Sequence, residues 1–256
     1  MEQETRRTMV TGVVAVAVIA IAALGYVWYA ALPAEIVETP LTVKSTRAME
    51  TSVAHRLIAD LPAVDGLADR AVQREINAAM RQPILDAMAR FEARAFADRP
   101  DLVGAAPHTF RSVFEVRHFT DRLLSIQITR TESTGTASPE IVTTTYTYDF
   151  TASAPVTLAD IVAGEDGLHA AAQLVRVQLL RMEGREPDAE ALARIARGTS
   201  PTAGFGDTFV LNEHAITFFW NPGIVAPRAA GIIAIAIPYE DLREHLVPGS
   251  VVDGYY

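Results

Sequence analysis

Cysteine is absent from the 256 residues. That excludes disulfides, thiolate metal ligands, a cysteine nucleophile and a lipoprotein anchor; it leaves the redox compartment open. Lysine is almost absent, with Lys44 the only one, so the basic side is nearly all arginine. No basic run occurs and the net charge is −9. Such a chain is a poor nucleic-acid binder, and no nucleic-acid partner is expected. Aromatics are scarce at 7%, yet half of the residues are hydrophobic. That composition suits a folded core and not a disordered chain. The length allows one large domain, or two small ones, behind an anchor.

Catalytic motifs are missing too. The six histidines are His55, His108, His118, His169, His214 and His245. No two stand at the i,i+4 spacing of a helical zinc site, and there is no H-E-x-x-H. No G-x-S-x-G elbow, P-loop or dinucleotide fingerprint is present. Glu213-His214 falls in a predicted hairpin turn. Glu165-Asp166 and Glu240-Asp241 fall at predicted helix starts, where carboxylates favour the macrodipole. Motifs alone therefore point to no catalytic residues, no metal and no cofactor. A site that the fold assembles from distant carboxylates stays open.

Against these absences stands one long apolar run. No charge occurs between Arg7 and Glu35. A helix of ~20 residues crosses the hydrocarbon core, whereas a cleavable signal peptide has a shorter apolar region of ~7–15 residues. Tyr26, Trp28 and Tyr29 crowd the far end like an interfacial belt. Arg6 and Arg7 precede the run, and Glu35 and Glu38 follow it. The positive-inside rule then keeps the N-terminus in the cytoplasm and sends the rest outside. We read 1–8 as a cytoplasmic tail, 9–32 as a transmembrane signal anchor and 33–40 as a linker. A signal peptide cleaved near Ala30, Ala31 or Ala34, giving a secreted protein, is the alternative.

The exported part changes period along its length. "LTVKSTRA" alternates as a strand. From Leu67 to Ala97 the residues Val72, Ile76, Met80, Ile84, Met88, Phe91 and Ala95 form one helical face. Pro83 predicts a kink or two helices. Residues 98–107 read as a loop. Three strands follow, with Phe110, Phe114 and Val116 on one face of the first, and they predict an antiparallel meander. In its last strand Val142, Tyr146, Tyr148 and Phe150 oppose Thr143, Thr145 and Thr147. The threonine face reads as solvated, or as a surface for polysaccharide. A helix runs from about Leu168 to Met182. Asp188 caps a second that ends near Gly198. "GTSPTAGFGD" reads as a flexible loop, and "TFVLNEHAITFFW" as two strands around a turn. Helices and strands come in blocks, which predicts an α+β fold with antiparallel sheets and packed helices behind one N-terminal transmembrane helix. We divide it into 41–150, a helix-plus-meander subdomain, and 151–256, a C-terminal subdomain.

"FVLNEHAITFFW", a Pro-rich turn and "APRAAGIIAIAIPYEDL" (Ala226–Leu242) resemble a domain of uncharacterised function. It occurs in the extracellular half of lysozyme-sensing anti-sigma factors. It also accompanies some peptidoglycan deacetylases and occurs in a secreted mycobacterial immunogenic protein. The likeness covers about Ala154–Leu246, and 41–150 fits the domain that usually accompanies it. The resemblance implies a binding or sensing module of the cell envelope, with lysozyme or peptidoglycan as ligand. The eight residues ahead of the anchor depart from the anti-sigma pattern, being too few to hold a sigma factor. The alternatives are a cell-wall-active enzyme, or an accessory domain of one, and a structural envelope assembly factor.

The stretch Phe218–Tyr239 is not a second span. Asn221-Pro222-Gly223 and Pro227-Arg228 break it, and Gly231–Pro238 alternates Ile233, Ile235 and Ile237 with Ala234 and Ala236. That places it in the centre of a sheet. Trp220, Asn221, Arg228 and Tyr239 flank its turn and are the candidate ligand-binding residues. The competing reading is that Trp220 and Tyr239 close the core and that Arg228 is solvated.

Overall fold

The computed structural model describes residues 40–52, 55–97, 108–134, 138–183 and 187–256. The expected tail at 1–8, the anchor at 9–32, nearly all of the linker and the loop at 98–107 lie outside the described residues. Among the described residues, no helix is long and apolar enough to cross a membrane. From Pro40 to Tyr256 the chain is one compact unit.

Six strands form the larger sheet in chain order: β1 (Thr42–Thr51), β2 (His55–Asp65), β3 (His108–Phe119), β4 (Leu123–Ser133), β5 (Glu140–Asp149) and β6 (Ala154–Pro155). β1 and β2 form an antiparallel hairpin. Helix α1 (Arg70–Ala97) then crosses over, and β3 pairs with β2 in parallel. A parallel neighbour needs such a crossover, because no tight turn can return the chain to the same end. The sheet is thus mixed, and the expectation of purely antiparallel pairing is corrected at β2–β3. β3, β4 and β5 form the predicted meander.

Asp69 starts α1 by accepting from the amides of Ala71 (2.7 Å) and Val72 (3.2 Å). Ile76, Met80, Ile84, Phe91 and Ala95 are all buried, as their spacing predicts. Pro83 sits within the helix without dividing it, correcting the two-helix alternative. Asn77 grips β2 from the helix, accepting from Val64 N at 2.7 Å and donating to Val64 O at 3.0 Å. Together with Leu57, Leu61, Phe110 and Ile126 these residues make the first core. A register shift between Val116 and His118 leaves Val116 42% exposed, so it does not share the buried face of Phe110.

The second layer holds α2 (Gly164–Glu183), α3 (Ala189–Gly198), a three-stranded sheet of β7 (Phe209–Leu211), β8 (Ala215–Trp220) and β9 (Ile233–Pro238), and α4 (Tyr239–Leu242). Asp188 caps α3 by accepting from Ala191 N at 2.7 Å. The stretch expected as a flexible loop buries Phe205, which stacks on Phe218 at 5.0 Å. Gly206, at φ +86°, follows it; a Cβ there would lie 2.2 Å from Leu158 Cδ2. The isoleucines of β9 are buried and its alanines exposed, as the alternation predicts. β8 is the central strand, however, and β9 an edge strand.

The two layers meet on the threonine face. That face is not solvated: Ser125, Gln127, Thr143 and Thr147 are buried. β7 lies against it, and its outward amides find side-chain acceptors on the larger sheet. Phe209 N donates to Thr145 Oγ1 at 3.1 Å and Leu211 N to Ser125 Oγ at 2.9 Å. The C-terminus adds two ties: Arg122 donates to Ser250 O at 2.9 Å, and His118 Nε2 lies 2.9 Å from the Tyr255 hydroxyl. Burial pushes the His118 imidazole below its ordinary pKa.

Ser125→Ala should leave a buried amide without an acceptor. We expect a loss of ~1–3 kcal/mol of stability, read by urea unfolding; an unchanged midpoint would remove Ser125 from the joint.

Candidate functional site

Helix α1 packs chiefly over β2 and leaves part of the same sheet face uncovered towards β5. A cleft of about 280 Å³ opens there. Met80, Pro83 and Ile84 form its helical wall, and Ile128 and Val142 the apolar wall from the sheet. Thr144, Tyr146 and Arg130 bring polar groups to it. Ser112, on β3, lines it as well and is only 1% exposed, and its hydroxyl has no hydrogen-bond partner among the described residues. Buried hydroxyls are nearly always satisfied, so an orphan in a cleft asks for a partner from outside.

The electrostatics favour a hydrogen-bonding role. Burial first, then Tyr148 and Glu75, pushes the Tyr146 phenol up to about 12. It is therefore protonated, and a donor, at neutral pH. Arg130 reaches Glu132 at 2.8 Å, and the nearly buried Glu132 also takes Arg94 from α1. This shared carboxylate fixes a guanidinium beside the cleft.

The four residues chosen from sequence lie elsewhere, in differing settings. Trp220 is buried beside Phe205 and Phe218, and its indole N–H donates to Gly198 O at 2.8 Å. Tyr239 is buried too; its hydroxyl donates to Asn212 O at 2.8 Å and its ring stacks on Tyr255. Burial raises its phenol well above the usual tyrosine range. Asn221 accepts from Thr143 N at 2.6 Å and so caps a backbone amide of β5. Arg228 is exposed in a short 3-10 turn, Arg228–Ala230. It lines a polar groove of about 700 Å³ with Glu183, Glu190, Arg194 and Arg197. The structure does not bring the four into one site.

Sequence reasoning passed over a second group. Glu50 is the penultimate residue of β1, His55 opens β2 and Glu92 sits on α1, and their ligand atoms lie within 4.8 Å of one another. No local spacing rule joins them, because three separate elements supply one residue each. The single cue available was a histidine at the start of an apolar strand.

Residues 159–240 match the family model described as "Protein of unknown function (DUF3298)". The match takes in the second layer from before α2 to the start of α4. Among solved structures, a DUF3298-family member from Bacteroides fragilis is 20% identical, with a TM-score of 0.63 over 85% of this chain and 98% of that one. A DUF3298-family protein from Pseudomonas aeruginosa PAO1 is 19% identical, with a TM-score of 0.55 over 82% of this chain and 96% of that one. At this identity the likeness concerns the fold, and it extends well beyond the matched segment. No curated protein matches the chain.

Tyr146 also gives a pH signature. An unfolded tyrosine ionises near ~10, the folded one at about 12. Between these values only the unfolded state releases the proton, so stability falls as pH rises through the interval. Urea midpoints measured near pH ~9 and ~11 should therefore drop less for Tyr146→Phe than for the wild type.

Proposed function

We propose that this protein is a membrane-anchored binding module of the cell envelope, with its folded part on the extracytoplasmic side. Its ligand is a sugar-bearing cell-wall polymer, one unit of which enters the cleft between α1 and β3–β5. The orphan Ser112 hydroxyl carries this reading, because it is buried, unsatisfied and on the cleft wall. The cleft is close to the lower end of small-ligand sites, ~300–1,000 Å³. An N-acetylated sugar matches its walls: the methyl group meets Met80 and Ile84, and the sugar hydroxyls meet Ser112, Thr144 and Tyr146. Arg130 suits the carboxylate of an attached lactyl or peptide group.

Binding is favoured over catalysis by the character of these groups. Burial pushes the Tyr146 phenol up to about 12, so at neutral pH it acts as a hydrogen-bond donor. The uncharged run between Arg7 and Glu35 supports the anchor. The resemblance of Ala226–Leu242 to lysozyme-sensing anti-sigma ectodomains supports the envelope setting. A net charge of −9 makes cationic lysozyme the competing ligand.

Three measurements test the proposal. The full chain in detergent should retain soluble peptidoglycan fragments, and Ser112→Ala should weaken them about 3–10-fold, one hydrogen bond's worth. The same substitution should not lower the urea midpoint, because this hydroxyl has no internal partner to lose. Retention of lysozyme alone, indifferent to Ser112→Ala, would sink the cleft as the site. Separately, the full chain should sediment with membranes and a variant lacking residues 1–33 should not.

A further inference from the structure

We propose that Glu50, His55 and Glu92 bind a divalent cation, with Zn²⁺ the best match to their donor set. The inference rests on residues outside the cleft and is independent of the sugar-binding reading.

The histidine is built for one orientation. Its side chain is fully enclosed. The β1–β2 turn locks it from behind: Ser52 N donates to His55 O at 2.8 Å, and His55 N donates to Ser52 Oγ at 3.1 Å. The same hydroxyl lies 3.2 Å from His55 Nδ1. In the tautomer that carries its proton on Nδ1, donating to Ser52 Oγ, Nε2 is the coordinating atom. Such an outer partner fixes the tautomer and the ring plane in metal sites.

What Nε2 faces is carboxylate. Glu50 Oε1 stands 3.4 Å away, and the ligand atoms of all three residues fall within 4.8 Å of one another. A cation held among these three groups would offset the charge of the two carboxylates. Charge-assisted N–H···O⁻ bonds run at about 2.7–2.9 Å. Two ligands of one tetrahedral ion, each bonded at ~2.1 Å, stand about 3.4 Å apart. The observed 3.4 Å matches the second spacing, and it also admits a long hydrogen bond from Nε2 to Glu50. One imidazole nitrogen and two carboxylate oxygens form a borderline-to-hard set that accepts Zn²⁺. Glu50 is half exposed, which gives the ion a way in from solvent. Three protein ligands leave a position for water.

The topology explains why these residues meet. Glu50 is the Cα partner of Leu57 in the β1–β2 hairpin, and Leu57 shares a strand face with His55 two residues away. Both therefore point to the side of the sheet on which α1 lies. Glu92 follows Phe91, whose ring packs against Phe110 on the neighbouring strand at 5.7 Å. The last turns of the helix are thereby held over the hairpin end.

The test titrates the full chain with Zn²⁺ in detergent, after chelator treatment, against a chromophoric competitor. We expect saturable one-to-one binding and a rise in Tm on adding the ion. Glu92→Gln and Glu50→Gln should each weaken binding by more than the ~10–100-fold that loss of an outer-shell partner costs, with little change in the Tm of the metal-free protein. His55→Gln should abolish binding; should that variant not fold, the two glutamate variants decide. Zn²⁺ binding that Glu92→Gln and Glu50→Gln leave unchanged would overturn the proposal. So would the absence of a saturable site or of any Tm rise.

Discussion

A hydroxyl-rich sheet face can be buried only where its hydrogen bonds are met, and this requirement organises the molecule. Ser125, Thr143, Thr145 and Thr147 form such a face on β4 and β5. The second layer meets it with the unpaired side of β7, whose amides donate to Ser125 and Thr145. Asn221 returns the favour by capping Thr143 N. Each side brings what the other lacks: an edge strand has amides to satisfy, and the threonine face has acceptors. No backbone ladder joins the sheets, yet the joint is satisfied at each of these points.

With one face of the larger sheet committed to that joint, the other is left to α1. The helix follows β2 into a parallel crossover and so lies over the β2–β3 half. Two features follow from this placement. Beyond one flank of the helix, towards β5, the sheet stays open and the cleft with Ser112 forms. At the helix's C-terminal end Glu92 reaches the β1–β2 turn. Cleft and carboxylate cluster are thus both by-products of where one helix comes to rest.

The sequence made local features legible and hid pairings. Period-two runs and the buried positions Ile76 to Ala95 were readable, because they depend on neighbours within one element. The Asp188 cap and the end of α3 were readable for the same reason. β2 was passed over: Leu57, Ala59 and Leu61 alternate with Arg56, Ile58 and Asp60, but Pro62 interrupts the run and obscures its period. The threonine face misled because strand propensity and solvation look alike when the covering layer lies some 60 residues away in the chain. Trp220 and Tyr239 stood out as polar-tipped aromatics beside a turn. Their N–H and O–H are taken by the carbonyls of Gly198 and Asn212, partners no local pattern discloses. Ser112 was invisible for the opposite reason: a small serine in a strand carries no signal until its surroundings are known.

Consider what it means for a joint to be made of side chains. A ladder is built from backbone, so every sequence that forms the strand forms the ladder. The bonds between these two sheets exist only while Ser125, Thr145 and Asn221 keep their oxygen atoms. The stiffness between the layers is therefore written in a few codons and can be retuned one residue at a time, while each sheet keeps its own hydrogen bonds throughout.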